Sequence, residues 1–227
     1  MQSNQIYTTM AKGNGSTRGS SPYNSSNKQK VIIVNTNGTR IKAIDGIAPI
    51  SEMKNRDMQK EIQQAISRYE AVMGLRERSI RLANLHGAYG ATAVSGDGSH
   101  GIYLDKKIFD QPKSDFVADY KKSNYARRNG FKNTTRKPAQ HTVTHELAHA
   151  TWTSNYNSQK ALAAGREIKE LYRQFTKDTA SVRKKNYGSY GHSNVDEFWA
   201  EVITKGIHGD NDRYTRKAFA IAKKYKL

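Results

Sequence analysis

Two histidines and a glutamate stand together at residues 145–149, in the order His145-Glu146-Leu147-Ala148-His149. On an α-helix, four residues advance about 400°, so both imidazoles project from one face, one turn apart, and can share one zinc ion. Glu146 lies beside them, where its carboxylate can act as a general base without being a ligand. The spacing therefore predicts half of a catalytic zinc site.

The surrounding sequence favours a helix for this motif. Residues 139–152 contain no glycine or proline, and Pro138 precedes them, where a proline is tolerated at a helix start. The three fixed residues arise by chance in roughly one chain per hundred of this composition, so this context matters. The alternative, a core helix with two hydrogen-bonded histidines, accounts less readily for the motif. His141, one turn upstream, could be a ligand, a group that supports a ligand, or simply a surface residue.

A catalytic zinc ion needs a third protein ligand from elsewhere in the chain. The extended pattern HExxHxxGxxH is absent, because Trp152 and Asn155 stand where glycine and histidine would be required. Other candidates for this ligand are Glu167, Glu170, His192 and His208. The two glutamates fall in 161–175, where apolar residues follow a helical period, so we interpret them as the solvated face of that helix.

The segment Tyr190–Glu201 is a better source of the third ligand. Ser193, followed three residues later by Asp196, indicates a helix start. Glu197 and Glu201 then fall four residues apart on one helix face, where like charges cost about 0.2–0.5 kcal/mol. A cation near both carboxylates would remove that cost. The alternative interpretation is a solvated acidic face.

The motif HELAH, followed about forty residues later by YGxxNxxEFxAE, resembles a known family. It is similar to the catalytic domain of anthrax lethal factor, to the small clostridial Pro-Pro endopeptidases and to the wider group of Glu-liganded zinc peptidases. The resemblance implies one zinc ion per chain with the ligands His145, His149 and Glu197. It also implies that Glu146 is the general base.

Two further roles follow from the same resemblance. Tyr190, seven residues before Glu197, would stabilise the transition state. Glu201 would support the zinc ligands from behind, as would His141 in such a site. Tyr187 and the glycine after it repeat the Tyr-Gly dipeptide, so the assignment of Tyr190 depends on its spacing alone.

The predicted elements fit an α+β chain. Residues 1–29, rich in Ser, Gly, Asn, Thr and Lys, predict a disordered polar tail, and residues 30–227 a single domain. Asn37-Gly38 predicts a hairpin between strands at 31–34 and 41–44. A helix is expected from Ser51 to about Met73, because its apolar residues repeat near 3.6.

Three short strands are expected before the HExxH helix, at Ile80–Leu85, Tyr89–Val94 and Gly101–Leu104. The resemblance implies a zincin-like fold: a small antiparallel or mixed sheet, an active-site helix and a helical C-terminal half. In that arrangement the last strand, at Ile102, Tyr103 and Leu104, is an edge that pairs with a peptide substrate. The alternative is an ordinary edge or core strand.

Composition limits the remaining possibilities. The chain has 227 residues and no cysteine, which excludes disulfides and cysteine-based zinc sites. It lacks a signal-peptide core and any apolar run long enough to span a membrane, so we expect a cytoplasmic or virion-associated protein. The net charge of +18 indicates attraction to nucleic acid or an acidic substrate, or else only a solubilising surface. The oligomeric state is left open.

These observations favour a zinc metalloendopeptidase that acts on a peptide or protein substrate. The main alternative is a non-enzymatic basic protein of a phage or mobile element, which binds nucleic acid or a virion component and retains a zinc site. A DNA-associated protease of the SprT type resembles the chain in charge and in HExxH. It uses a nearby third histidine, which is missing here.

Overall fold

The described part of the chain is an α+β structure, as predicted. In this computed structural model the described residues are 6–8, 44–74, 80–85, 88–95, 100–122, 137–153, 159–179, 187, 191 and 194–227. The hairpin predicted around Asn37-Gly38 lies outside them. So does most of the predicted tail, of which only Ile6–Thr8 is described, as a short strand.

Five strands form one mixed sheet. They are β1 (Ile6–Thr8), β2 (Asp45–Pro49), β3 (Ile80–Asn84), β4 (Gly90–Ser95) and β5 (His100–Asp105). Their order across the sheet is β1-β4-β5-β3-β2, with β1 parallel to β4, β3 parallel to β5, and antiparallel pairs elsewhere. The three strands predicted before the HExxH helix are confirmed to within one residue at each end, whereas β2 was not predicted.

The prediction that Ile102, Tyr103 and Leu104 form an edge strand is wrong. These residues lie in β5, which pairs with β4 on one side and with β3 on the other. All three side chains are buried, because both faces of β5 are covered. A strand covered on both faces reads as a continuous apolar run, and such a run is typical of the interior of a sheet. Among the described strands, the edges are β1 and β2 instead.

The helices of the described residues complete the architecture. They are α1 (Arg56–Met73), α2 (Lys106–Phe109), α3 (Lys113–Lys122), α4 (Pro138–Thr153), α5 (Gln159–Thr176), α6 (Val195–Ile207) and α7 (Arg213–Tyr225), with a 3-10 turn at Ile50–Glu52. Helix α1 begins later than Ser51, because the Asn55 side chain accepts hydrogen bonds from the backbone N–H groups of Asp57 and Met58. None of these helices is long and apolar enough to cross a membrane.

Helix α4 lies at the centre of the molecule. It packs against α1, α6 and β4, and every residue from 138 to 152 is buried. Thr142, Thr144 and Thr151 each donate the side-chain hydroxyl to a backbone carbonyl of the same helix, as Thr144 does to Gln140. A helix buried on all sides cannot leave its other polar side chains to solvent, so these must find partners on neighbouring elements. The partners of its histidines define the candidate site.

Candidate metal centre

Helix α4 supplies the first two side chains of the centre. His145 and His149 are buried, and their Nε2 atoms lie 3.0 Å apart. The close approach follows from the helical spacing of four residues, which places the two rings edge-to-face on one side of the helix. Two imidazole nitrogens pointing at one another in a buried position need a cation or a proton between them.

Helix α6 supplies the third side chain. Its first turn is capped by Asn194, whose side chain accepts from the backbone N–H groups of Asp196 and Glu197. Ser193, which was predicted as the helix start, lies outside the described residues. The cap orients the first turn of α6 toward α4, and Glu197 Oε2 lies 3.1 Å from Nε2 of His145 and 3.4 Å from Nε2 of His149.

The distances among these three ligand atoms fit a metal ion. Atoms that share one tetrahedral zinc ion at about 2.0–2.2 Å stand roughly 3.3–3.6 Å from one another. The observed separations of 3.0, 3.1 and 3.4 Å are close to that range. Two neutral imidazoles and one carboxylate are also a donor set that a divalent ion of this type accepts. His145, His149 and Glu197 could therefore hold a metal ion.

Glu201 contacts the His145 ring on the side opposite the three ligand atoms. Its Oε1 atom lies 2.6 Å from Nδ1 of His145 and 3.4 Å from Nε2 of His141. When Nδ1–H of His145 donates to Glu201, its Nε2 lone pair is left to face the ion. His141, His145 and Glu201 are also close enough together for a metal ion. The 2.6 Å contact, however, is that of a charge-assisted hydrogen bond and is too short for two ligands of one ion.

Electrostatics in the metal-free protein reflect the same neighbours. Burial would raise the pKa of Glu197, but the charge of His149 and hydrogen bonds with His145 and His149 lower it to about 2. Burial would lower the pKa of His145, but hydrogen bonds with Glu197 and Glu201 raise it well above its ordinary value. Because a ligating imidazole must have a free lone pair on the coordinating nitrogen, metal binding would compete with protonation of His145.

Glu146 stands apart from the three ligand atoms. It is buried, and the Thr92 hydroxyl of β4 lies 2.8 Å from its Oε2 atom. Burial raises the pKa of Glu146, although the charges of His149 and His145 oppose the shift. A carboxyl group with a raised pKa beside a metal site is suited to exchange protons near neutral pH.

Several residues that the sequence offered as candidates have other partners. Glu167 pairs with Lys224, and Glu170 pairs with Arg173, so neither joins the histidines. His208 contacts Thr144 at 3.2 Å and lies behind His141, and burial lowers its pKa to about 4.

The two tyrosines of the repeated Tyr-Gly dipeptide differ in whether the structure describes them. Tyr190 and His192 lie outside the described residues. Tyr187, the other tyrosine of the repeated dipeptide, is buried and donates its hydroxyl to the Asp212 carboxylate. Its role is therefore structural, and the described residues leave the assignment of Tyr190 as a prediction.

Two residues near the centre were not predicted from the sequence. The first is Thr92, which contacts Glu146. The second is Tyr120 of α3, which is buried near Glu201; burial is the larger cause, and the charge of Glu201 the smaller cause, of its raised pKa. The only local signal for Thr92 is a polar residue within a strand that precedes the HExxH helix. Nothing local to Tyr120 points to the site, because α3 meets α4 only through the tertiary fold.

No protein-family model matches this chain, and comparisons with curated proteins and with solved structures found no match. Function is therefore inferred from the geometry of the site.

Proposed function

We propose that the protein is a zinc-dependent endopeptidase. The observation that carries this proposal is the separation of roles within one buried cluster. Three ligand atoms converge on one point, while the Glu146 carboxylate stays outside their group. A purely structural zinc site would be closed by a fourth protein ligand, whereas a catalytic site keeps one position open and a base beside it.

The fold supports the same proposal. A small mixed sheet precedes the helix that carries both histidines, and helices supply the rest of the chain. This arrangement is consistent with a zincin-like fold of the Glu-liganded type, which the sequence resembles. Strand β4 makes more extensive contact with the active-site helix than β5 does.

Zinc is the metal that the donor set suits best, because two imidazoles and one carboxylate with an open position form a known catalytic site for this ion. When bound, the ion would supply Lewis-acid chemistry, by polarising the scissile carbonyl and bringing the pKa of a water toward neutrality. Glu201 would hold His145 in the tautomer that leaves Nε2 free for the ion.

The remaining chemistry belongs to side chains of this chain. Glu146 would take the proton of the attacking water and later pass a proton to the leaving amine. Tyr190 would donate a hydrogen bond to the developing oxyanion, an interaction whose loss typically costs about 100-fold or more in rate. Burial of the cluster would strengthen each of these interactions by excluding bulk water.

The proposal is tested by profiling a peptide library with the zinc-loaded protein and with its chelated form. We expect zinc-dependent cleavage that Glu146→Gln abolishes while zinc content stays unchanged, because the amide keeps the shape of the side chain but cannot take a proton. Glu170→Gln, on the exposed face of α5, is the matched control and should leave cleavage unchanged. Near wild-type cleavage by Glu146→Gln would contradict the proposal.

A second candidate function is supported by the charge. The chain has a net charge of +18. Helix α7 alone exposes the basic residues Arg213, Arg216, Lys217, Lys223 and Lys224. A non-enzymatic protein that retains a metal site and binds nucleic acid or a virion component would use such a surface. Zinc binding with no cleavage in the library, together with salt-dependent binding to DNA, would favour this candidate.

A further inference from the structure

Strand β4 presents two residues to helix α4, and both meet Glu146. Successive side chains of a strand point to opposite faces, so Gly90 and Thr92 share one face. Ala91, between them, is buried on the other face of the sheet, in a cluster with Ile44 and Tyr103. The face with Gly90 and Thr92 is therefore the one that covers the active-site helix.

Thr92 contacts Glu146 at two atoms. Its hydroxyl oxygen lies 2.8 Å from Oε2 of the carboxylate and 2.9 Å from the backbone carbonyl oxygen of the same residue. The side chain is only 5% exposed, so water does not compete for the hydroxyl. A hydroxyl has one proton, and its hydrogen bond to an ionised carboxylate is stronger than one to a carbonyl. The Thr92 hydrogen bond thus fixes the position of the Glu146 carboxylate relative to strand β4.

Gly90 leaves the space that the other carboxylate oxygen occupies. A Cβ atom at this position would lie 2.7 Å from Cγ and 2.9 Å from Oε1 of Glu146. Both distances are shorter than a van der Waals contact, and Glu146 is buried, which leaves its side chain little room to move away. Glycine is needed here for close approach.

We infer that Thr92 is a positioning residue for the Glu146 carboxylate, and that Gly90 provides the room in which Thr92 holds it. This inference rests on the proposed function, because it assigns Thr92 a task in proton transfer. A glutamate on a helix can adopt several rotamers, and a base displaced by about 1 Å can lose roughly 100-fold in rate. Strand β4 removes that freedom before any substrate binds.

Kinetics of zinc-loaded variants provide the first test. Thr92→Val replaces the hydroxyl by a methyl group of similar size, and we expect kcat to fall roughly tenfold with KM and zinc content little changed. Thr92→Ser restores a hydroxyl and should restore most of kcat. Gly90→Ala should lower kcat at unchanged zinc content, because it displaces the carboxylate. Thr215→Val, which removes a buried hydroxyl bonded to Asp212 in α7, is the matched control and should leave kcat unchanged.

Crystal structures of the variants provide a test that does not need activity. We expect the Glu146 side chain to leave its single position in Thr92→Val and to keep it in Thr92→Ser. An unmoved Glu146 in Thr92→Val, or a wild-type kcat at full zinc occupancy, would overturn the inference while leaving the proposed function in place. Unchanged activity in Glu146→Gln would instead overturn the proposed function.

Discussion

At the scale of single residues, the two glutamates of α6 differ because each faces a different nitrogen of His145. Glu197 meets Nε2, on the side shared with His149, whereas Glu201 meets Nδ1 on the opposite side of the ring. The helical repeat separates them by one turn, and the imidazole ring fills the space between them. One carboxylate therefore lies where it could bind a metal ion, and the other lies where it could orient the His145 ring.

We predict a graded loss of metal affinity from this difference. Glu197→Gln should weaken zinc binding most, because it removes the charged ligand, and Glu201→Gln should weaken it by about 10–100-fold, as is typical of a residue that orients a ligand. Competition with a chromogenic zinc chelator would measure both affinities. Glu167→Gln, which lies in a pair with Lys224, is the control. Equal and small losses in both variants would contradict the assignment of Glu197 as the ligand.

At the scale of elements, the site depends on how α6 begins and how α7 is attached to it. Asn194 caps α6 through the backbone N–H of Glu197, so the cap and the ligand belong to the same turn. Asp212 caps α7 and also accepts from Lys205 of α6 and from Tyr187. Two caps and one half-buried ion pair thus fix the helix that carries Glu197.

We predict that Asn194→Ala lowers both stability and metal affinity. Loss of an N-cap costs about 1 kcal/mol, and here it also loosens the turn that presents Glu197. Asn55→Ala removes the corresponding cap of α1, which supplies none of the ligand atoms, and should cost similar stability with unchanged zinc affinity. Urea unfolding and zinc titration would measure the two effects. A zinc affinity that falls equally in both variants would show that general destabilisation, and not the α6 cap, is responsible.

Asp212 should make the stability of the fold depend on pH in acid. Burial raises its pKa, but hydrogen bonds from the Thr215 N–H, the Tyr187 hydroxyl and Lys205 outweigh burial and hold the pKa below its ordinary value. A depressed folded-state pKa contributes stability above the unfolded value of about 3.9, and this stability is lost as the pH falls through the folded value.

We therefore predict that Asp212→Asn lowers the free energy of unfolding at pH 7 by about 1–2 kcal/mol, because a charged cap and its hydrogen bonds are lost. The difference from the wild type should shrink as the pH falls below about 4. Denaturant unfolding of zinc-free protein over pH 3–7 would measure it. Asp119→Asn, at an exposed position of α3, should show no such trend. A difference that stays constant down to pH 3 would rule out the carboxylate as its source.

At the scale of the whole molecule, α4 connects the sheet to the C-terminal helices. It contacts β4 through Glu146 and α6 through the two histidines, so the candidate metal site lies where the two halves of the fold meet. A metal ion held by α4 and α6 would cross-link these halves.

We predict that metal removal lowers the melting temperature. A ligand at 100 times its dissociation constant stabilises the folded state by about 2.7 kcal/mol, which corresponds to roughly 5–11 °C for a chain of this size. Differential scanning fluorimetry with chelator, followed by addition of zinc or magnesium, would measure the shift. Zinc should restore the melting temperature and magnesium should not. The melting temperature of Glu197→Gln should change little with chelator or zinc. A wild-type melting temperature that chelator does not change would contradict the metal site.

Much of the centre could be predicted from the sequence because its signals are local. The spacing of His145 and His149 and the absence of helix breakers around them predict one face of one helix, and α4 is that helix. Glu197 and Glu201 are likewise related by one helical turn in α6. Periodicity determines which side chains share a face of a helix, so each half of the cluster could be predicted from the sequence. The resemblance to Glu-liganded peptidases suggested that the two halves meet.

Only the tertiary structure decided which elements surround that cluster. We expected β5 to be an edge strand because it comes last in the chain before α4. It pairs directly with β3, however, although β4 lies between these two strands in sequence. The same topology brings Thr92 of β4 against Glu146 over 54 residues of chain. Strand pairing and helix contact join residues far apart in sequence, and no local period records which distant partner will be chosen. The residues that could bind a metal were therefore visible in the sequence, whereas those that hold them in place required the fold.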